Sequence, residues 1–291
     1  LAALEQVLPN LNLDTYSFYF LCTSDREGDA EYGTKEILEY LKQQNEVPHY
    51  CIIGEATSET KVGDILNVGR RGSIVGEVTI LGFDGHVAGT GASNNSLHNS
   101  MMLGRWLTEL SWDQGSKDFP GSQLKIISME GGQSSNVMMP EKTVLKFNVL
   151  YSDQQNETEI VERVSNGLIQ LRQLAKNIEI KWSNGRSPYL TSGNHLPTAG
   201  ANYTGSNKDQ VKIDLITEVE QAIYTELNFF PRLSTAGGAS DGYLFAEQGC
   251  QVVEIGLPNN TSYKTDEHIL VKDLHDLTRL YQSVLTRLMA N

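Results

Sequence analysis

Two glutamate residues stand at places where acidic side chains often carry out chemistry. Glu27 lies in the segment 23–30, directly after an apolar run from Tyr16 to Cys22 that predicts a buried strand. Glu55 follows a second apolar run, in the segment 49–58. Open α/β sheets bind their ligands outside the carboxyl ends of their strands. The pattern predicts that both glutamates converge on one metal ion, while a helix cap or a solvated turn stays open for each.

Length and charge limit the classes of protein to which the chain can belong. Its 291 residues suffice for one large domain or two smaller ones with a stable core. The formal net charge is −13, and Lys and Arg form no block, which argues against nucleic acid and anionic membrane surfaces as partners. No apolar run approaches the roughly 20 residues of a membrane-spanning helix. These features predict a globular protein that binds neither nucleic acid nor a membrane.

The cysteines and the first residues bear on the compartment and on the extent of the chain. Cys22, Cys51 and Cys250 all lie in apolar runs, and none forms a Cys-x-x-Cys pair. Such cysteines are usually small buried hydrophobic residues, and an odd count argues against a disulfide framework. We therefore expect a reducing compartment, the cytoplasm. The helical pattern from Leu1 to Leu8 has no capping residue before it, so we expect a further segment upstream.

The order of the predicted elements indicates two kinds of sheet. Before residue 72, strands and helices alternate, which predicts βαβ units and a largely parallel sheet. From Ser73, polar and apolar residues alternate, which is typical of an antiparallel strand with one wet face. The predicted helices cover residues 1–8, 33–44, 96–110, 157–176, 211–227 and 270–289. The predicted strands cover residues 16–22, 51–54, 62–72, 73–81, 124–129, 143–151, 178–182 and 250–256.

Two stretches without periodicity predict loops. Thr191–Gln210 is rich in Gly, Asn, Ser and Thr, and it is long enough to be functional. Pro231–Gly242 is rich in glycine and precedes the last predicted strand. The change of pattern at Ser73 and the linker before Pro188 make the segment 73–185 a compact α+β insertion between residues 1–72 and 186–291.

Several spaced motifs together resemble one family of enzymes. They are Thr23-Ser24-Asp25-x-Glu27-Gly28-Asp29-Ala30, Tyr50-Cys51-Ile52-Ile53-Gly54-Glu55-x-Thr57-Ser58, Gly69-Arg70-Arg71-Gly72-Ser73, Gly85-His86-Val87-Ala88, Ser135-Asn136-Val137, Gly237-Gly238-x-Ser240-Asp241-Gly242 and Val252-Val253-Glu254-x-Gly256. The motifs span essentially the whole chain, which makes the resemblance specific. The chain resembles the succinyl-diaminopimelate desuccinylases, in the M20 clan of dinuclear zinc hydrolases.

The resemblance implies an α/β fold, with a three-layer catalytic domain of the zinc-exopeptidase type interrupted by an α+β lid domain. Residues 1–72, lacking their start, and residues 186–291 would form the catalytic domain. Residues 73–185 would form the lid, through which the family forms homodimers. The family acts on small acidic amino-acid derivatives, with two zinc ions held by a His-x-Asp motif, a bridging Asp, two Glu and a late His. A further Glu accepts a proton from the metal-bound water.

The matched positions retain only part of the implied metal site. Glu27 and Glu55 match two zinc ligands. Arg26 replaces the general base, and a guanidinium cannot accept a proton. Tyr263 replaces the late His, and a phenol with a pKa of ~10 is a poor substitute, whereas His268 could compensate or be an ordinary surface histidine. The His-x-Asp motif and the bridging Asp have no match, so we expect zinc binding to be weak or lost.

The implied substrate site also lacks some of the family's contact residues. His86 matches the histidine that a partner subunit's lid delivers to the oxyanion, although a turn histidine satisfied by the backbone is an alternative. Leu150 replaces an Arg that grips a substrate carboxylate, and Ala239 replaces a Thr. Such a lost contact costs about 1.5–3 kcal/mol, which puts diaminopimelate specificity in doubt. The retained substrate-binding positions are Arg70, Ser73, Asn136 and Asn259, together with Arg71.

Three hypotheses follow from this pattern. In the first, the chain is a desuccinylase homologue that keeps the fold and the dimer but not the hydrolysis. In the second, it is a working zinc amidohydrolase that deacylates N-succinyl or N-acyl amino acids, and its missing ligands lie in an upstream segment. In the third, it is a scaffold or binding protein, and the loop Thr191–Gln210 alters access to the old cleft.

Overall fold

The computed structural model describes residues 1–24, 32–89, 94–132, 135–171, 177–183, 185–191 and 213–289, with residues 170 and 171 described by their backbone alone. The chain divides into two compact units. The first unit holds Leu1–Arg70, Tyr189–Ala236 and Ser240–Asn291. The second unit holds Arg71–Pro188 and Gly237–Ala239. That the predicted segments 1–72, 73–185 and 186–291 act as catalytic and lid domains stays a prediction.

The helices and strands follow the predicted order over most of the described residues. The helices are α1 (Ala2–Val7), α2 (Thr34–Gln43), α3 (Ser96–Glu109), α4 (Glu157–Leu171), α5 (Leu215–Leu227), α6 (Gly242–Ala246) and α7 (Val271–Met289). The strands are β1 (Tyr50–Ile53), β2 (Ile65–Asn67), β3 (Gly69–Arg70), β4 (Gly72–Leu81), β5 (Gly85–His86), β6 (Gln123–Gly131), β7 (Met138–Met139), β8 (Lys142–Tyr151), β9 (Asn177–Trp182), β10 (Tyr189–Leu190), β11 (Arg232–Ser234) and β12 (Gln251–Glu254). In the part of the chain that the structure describes, no helix is long and apolar enough to cross a membrane.

The first unit is built on a mixed sheet whose described strands have the order β1-β12-β2-β11. β1 pairs with β12 in parallel, and so does β11 with β2, whereas β12 and β2 meet antiparallel at Glu254 and Asn67. The parallel pairing of β1 and β12 brings their carboxyl ends to the same edge of the sheet. Side chains from the sheet and from α5 and α7 form the core, among them Leu66, Ile223, Val253, Leu280 and Val284.

The prediction of a buried strand over Tyr16–Cys22 is wrong. These residues are described, and none of them lies in a strand. Phe18 and Leu21 pack beside core clusters, but Phe20 is 54% exposed, and Cys22 is exposed rather than buried. Aromatic residues favour strands, yet a strand also needs a partner, and the local sequence does not specify one. The aromatic run therefore lies along the core without entering the sheet.

Two short elements interrupt the predicted loop Pro231–Gly242. β11 lies within it, and α6 begins at its last residue. Elements of three to five residues are too short for a periodic pattern to reveal them. The last predicted helix is present as α7. Its apolar spacing predicts an inward face of Leu274, Leu277, Tyr281, Leu285 and Leu288. Leu288 is buried and Leu277, Tyr281 and Leu285 pack against the core, whereas Leu274 is 46% exposed.

The second unit is an antiparallel sheet whose described strands have the order β6-β8-β4-β9. Along β4 and β8 nearly every second side chain is buried, as the alternating sequence predicts. In β8 the alternation predicts that Leu145, Phe147, Val149 and Tyr151 form one inward face, and this is confirmed, because these side chains are at most 1% exposed. Helices α3 and α4 contribute to the same core through Leu103, Leu107, Ile160 and Val164.

One carboxylate holds the turn that precedes β2. Oδ1 of Asp64 accepts a hydrogen bond from the backbone N–H of Glu59 at 2.9 Å. Oδ2 accepts from the N–H and the hydroxyl of Thr60, both at 2.8 Å, and from the N–H of Lys61 at 3.1 Å. Desolvation opposes ionisation, but these hydrogen bonds outweigh it and lower the pKa of Asp64.

Asp64→Asn is expected to lower the free energy of unfolding by about 1–2 kcal/mol near neutral pH, because an amide cannot accept all four hydrogen bonds. Because the pKa of Asp64 is lower in the folded chain, its contribution is present above the unfolded pKa and is lost as pH falls through the folded pKa. Urea unfolding of both proteins from neutral to acid pH should therefore show a shrinking difference. Asp153→Asn at an exposed site is the control. A difference that stays constant with pH contradicts the prediction.

Candidate functional site

A buried carboxylate stands at the centre of a polar network in the first unit. Glu254, at the end of β12, has no exposed surface. Its Oε2 accepts a hydrogen bond from Nε of Arg70 at 2.6 Å and forms an ion pair with Nη2. Its Oε1 accepts from the hydroxyl of Tyr189 at 2.5 Å and from the hydroxyl of Ser240. Because the interior has a low dielectric constant, these bonds are strong, and the loss of one partner is costly.

Tyr189 is a permanent donor to this carboxylate. Burial, together with the charge of Glu254, raises the pKa of Tyr189, so the phenol keeps its proton at any physiological pH. The same side chain lies against Gly242, where a Cβ atom would overlap with the phenol ring. Tyr189 therefore links β10 to the glycine-rich segment through shape as well as through hydrogen bonding.

Arg70 is engaged by protein acceptors at all three of its side-chain nitrogen atoms. Besides the bonds to Glu254, Nη1 donates to the carbonyl of Ala236 at 2.9 Å. The amide oxygen of Asn67, oriented by its hydrogen bonding, accepts from Nη1 and Nη2 at 3.0 and 2.9 Å. Arg70 is 8% exposed. Its predicted role in substrate binding stays a prediction, and its donors are already engaged by protein acceptors.

The neighbouring Arg71, in the second unit, is held differently. It is 5% exposed, and Nη1 and Nη2 donate to the carbonyls of Gly121 and Gly237 at 3.1 and 3.4 Å. Its Nε is buried and has no hydrogen-bond partner among the described residues. Burial lowers the pKa of Arg71. A buried guanidinium that faces only carbonyl groups is costly, so a bound anion would stabilise it.

Glu55 lies just beyond the carboxyl end of β1 and is half-buried. Its carbonyl lies against Gly256, where no Cβ atom would fit. Asn259 donates from Nδ2 to the carbonyl of Ala56 at 3.1 Å. The hydroxyl of Tyr281 donates to a backbone carbonyl just after β12 at 2.7 Å, and burial, together with the Glu55 charge, raises its pKa to about 12. The structure thus brings the segments of Glu55 and Asn259 together.

The structure does not bring the other predicted metal ligands together with Glu55 among the residues that it describes. Arg26 and Glu27 lie outside the described residues, as does the predicted loop from residue 192 onward. Tyr263 is 85% exposed and has a φ of 59°. His268 is exposed, and its Nδ1 lies 2.7 Å from a backbone carbonyl two residues earlier. In the described ranges, no three His, Cys, Asp or Glu side chains could hold a metal ion together. These residues alone do not fit a two-zinc centre.

The remaining predicted site residues lie in the second unit. His86 and Asn136 are brought near each other, because β5 pairs with β7. Both residues are exposed, and Nδ1 of His86 accepts from the N–H of Ala88 at 3.2 Å, as expected of a turn histidine. The hydroxyl of Ser73 is hydrogen-bonded to the side-chain amide of Asn148 at 3.1 Å. The substrate roles of these residues stay predictions.

One signal for the Glu254 network is present in the sequence. Glu254 interrupts the apolar strand Val252-Val253-Glu254-Ile255, and a charged residue in such a run indicates a buried, paired carboxylate. Its partners Arg70, Tyr189 and Ser240 are distant in sequence, so only the fold reveals which residues they are.

Comparison with known proteins places the chain in a family. The M20 peptidase dimerisation domain matches residues 68–170. The chain is 36% identical over 287 residues to succinyl-diaminopimelate desuccinylase 2 of Shewanella loihica, covering 99% of this chain and 72% of that protein. It is also 36% identical over 288 residues to succinyl-diaminopimelate desuccinylase 1 of Alteromonas mediterranea, covering 99% of this chain and 70% of that protein.

Solved structures agree on the fold. Human carnosine dipeptidase 1 superimposes with a TM-score of 0.67 at 13% identity, covering 89% of this chain and 63% of that chain, less than two thirds of its length. The M20 family metallo-carboxypeptidase of Sulfolobus solfataricus superimposes with a TM-score of 0.66 at 13% identity, covering 90% and 68%. This chain belongs to the M20 family of metallohydrolases, and its relatives include succinyl-diaminopimelate desuccinylases. The predicted α/β fold with an inserted α+β domain is confirmed.

Proposed function

We propose that this chain is a desuccinylase-like protein that retains the M20 fold and dimer but does not hydrolyse an amide as it stands. The observation that carries the proposal is the simultaneous replacement of two side chains that handle protons and metal. Arg26 has no lone pair with which to accept a proton from water. Tyr263, at the position of the late His, points a phenol into solvent and is 85% exposed. No hydrolytic step is assigned to these residues.

A small acidic amino-acid derivative is the ligand class that we propose for this chain. The relatives' name, succinyl-diaminopimelate desuccinylase, describes a substrate with several carboxylates. Arg71 supports an anionic ligand, because its buried guanidinium has no carboxylate partner among the described residues and its Nε is unsatisfied. The absence of an Arg at Leu150 suggests a ligand with fewer charged groups than succinyl-diaminopimelate.

The purified chain is expected to bind less than about one zinc ion per molecule and to release no succinate from N-succinyl-diaminopimelate, because its oxygen and nitrogen ligands do not complete a tetrahedral shell. Metal analysis after dialysis against zinc and a succinate-release assay measure both quantities. The Shewanella loihica enzyme is the positive control. Arg26→Glu/Tyr263→His should raise the zinc content while turnover stays absent, because the chain contains no His-x-Asp motif.

The alternative is an active zinc-dependent amidohydrolase whose further ligands lie in a segment outside this sequence. The retention of Glu27 and Glu55 favours it. Two tightly bound zinc ions with turnover of an N-succinyl amino acid would establish this alternative and exclude the first proposal. Bound zinc without turnover would contradict the expected zinc content, but it would agree with the proposed absence of hydrolysis.

Homodimer formation through the second unit is part of the proposal. The match to the M20 dimerisation domain supports it. So do exposed apolar side chains on β6, the edge strand of the described sheet, and on α3: Ile127 is 55% exposed and Met101 is 63% exposed. A shift of register between Ile126 and Ser128 places Ile127 opposite no residue of β8. Exposed apolar side chains on an edge strand indicate an interaction surface.

Ile127→Lys is expected to shift the protein from dimer to monomer, with the dissociation constant raised by about 100-fold or more, because the charge must be desolvated at the interface. Size-exclusion chromatography with light scattering over a range of concentrations measures this. Ile169→Lys on α4, also an exposed isoleucine at 56%, is the matched control. Equal dimerisation of both variants would locate the interface elsewhere.

We also propose that the protein resides in a reducing compartment, the cytoplasm. Cys51 and Cys250 carry free thiols in the first unit. Burial raises the pKa of both thiols, that of Cys250 to about 12, so neither is a reactive thiolate. Inert, unpaired thiols are typical of proteins that do not use disulfides for stability.

A further inference from the structure

We propose that Glu254 is a positioning residue for the glycine-rich segment 236–242, and that it acts through Arg70 and Ser240 without touching a ligand. One part of the inference, that this segment contacts a ligand, rests on the proposed function. The positioning of the segment can be measured in the absence of any ligand.

A single carboxylate ties both ends of the segment. At its start, the carbonyl of Ala236 accepts from Nη1 of Arg70 at 2.9 Å, and Nε of the same guanidinium is held by Oε2 of Glu254 at 2.6 Å. Towards its end, the hydroxyl of Ser240 donates to Oε1 of Glu254, and the N–H of Gly242 donates to Ser240 Oγ at 3.3 Å. The two oxygen atoms of Glu254 therefore set the positions of Ala236 and Ser240.

The segment needs such ties because its own residues do not rigidify it. Gly237 has a φ of 104°, a conformation that only glycine adopts readily, and Gly238 follows it. Glycine loses more conformational freedom on ordering than any other residue, so a run of this kind stays ordered only when neighbours hold it. Arg70 and Glu254 supply this support from strands β3 and β12, which are rigid elements.

Tyr189 helps to hold the Glu254 carboxylate in one orientation. Its hydroxyl donates to the same Oε1 that accepts from Ser240, and its ring occupies the space beside Gly242. With Oε2 committed to Arg70 and Oε1 to two hydroxyls, the carboxylate cannot rotate without losing several bonds. The role of Arg70 is thereby defined as well, since its donors serve this arrangement.

Hydrogen–deuterium exchange tests the positioning directly. In Glu254→Gln, peptides that cover residues 236–242 should exchange about tenfold faster, while peptides of α5 and β8 keep the wild-type rates. Tyr189→Phe, which removes one hydroxyl and keeps the charge pair, should give a smaller change in the same peptides. Glu77→Gln, at a half-exposed carboxylate 3.9 Å from Lys146, is the control and should change nothing in this segment.

The double variant Arg70→Met/Glu254→Met distinguishes two roles of Glu254: positioning of the segment 236–242 and general stabilisation of the fold. Removal of both charges should restore the melting temperature towards the wild-type value, because no charge stays buried without a partner. Exchange at residues 236–242 should stay fast, because neither Ala236 nor Ser240 is tied. The proposal would be overturned if the double variant recovered both the wild-type melting temperature and the wild-type exchange rate. It would also be overturned if exchange at residues 236–242 stayed at the wild-type rate in both Glu254→Gln and Tyr189→Phe. If Glu254→Gln does not fold, the exchange rate of Tyr189→Phe is the deciding measurement.

Calorimetric titration with succinate links the positioning to binding. Wild-type protein should bind succinate, and Glu254→Gln should bind it about tenfold more weakly, because an ordered segment has already lost the conformational freedom that binding would cost. If the wild-type protein does not bind succinate, the proposed ligand class is wrong, and the exchange experiment still decides the role of Glu254. If both proteins bind equally while exchange differs, the segment does not contact the ligand, and the binding part of the inference fails.

Discussion

Phe147→Ala is expected to lower the free energy of unfolding of the second unit by about 3–5 kcal/mol, because it leaves a cavity in a closely packed core. Phe147 has no exposed surface, and its ring meets that of Trp182 edge-on, with the centroids 5.6 Å apart. All three tryptophans lie in the second unit, so their fluorescence during urea unfolding measures its stability. Ile169→Ala, at a 56% exposed site on α4 outside the proposed dimer surface, should change the free energy by less than about 0.5 kcal/mol.

A second substitution tests the packing that underlies this effect. Gly76 lies opposite Phe147 across the β4–β8 ladder, and a Cβ atom there would overlap with the phenylalanine ring. Gly76→Ala alone should therefore be destabilising. The same change should be nearly neutral when it is added to Phe147→Ala, since the ring with which the Cβ atom would clash is then gone. Strictly additive effects of the two substitutions would show that the packing of the Phe147 ring does not depend on the space left by Gly76.

This glycine–aromatic pair illustrates what the sequence can and cannot predict. The two-residue period identifies the inward face of β8 from the sequence alone, and that face is buried. The pairing of Gly72 with Tyr151 and of Gly76 with Phe147 depends on the register of strands about 75 residues apart, which the local pattern does not contain. The glycines interrupt the alternation of the sequence, yet they provide the space into which the two rings pack.

The site divides in a similar way. The position of Glu55 just beyond the carboxyl end of β1 could be predicted from the apolar run before it, while its role in a site stays a prediction. Tyr16–Cys22 has the same local signal and forms no strand, because pairing is a property of the whole sheet. The partners of Glu254 come from β3, β10 and the glycine-rich segment, so the commitment of Arg70 to the interior could be found only in the fold.

Arg70→Met is expected to lower the free energy of unfolding of the first unit by about 3–5 kcal/mol, because it leaves the carboxylate of Glu254 buried without its cation. Hydrogen exchange in β12 and urea unfolding followed by far-ultraviolet circular dichroism measure the effect, since the first unit has no tryptophan.

The adjacent arginine provides the matched comparison. Arg71→Met removes a guanidinium of similar burial that donates only to two carbonyl groups, so relief of its desolvation should offset much of the lost hydrogen bonding. We expect a change below about 1 kcal/mol in the stability of the second unit, together with weaker binding of acidic ligands. Equal losses of stability in both variants would mean that the two arginines have the same structural role. A large difference would assign Arg70 to the fold and leave Arg71 for an anion.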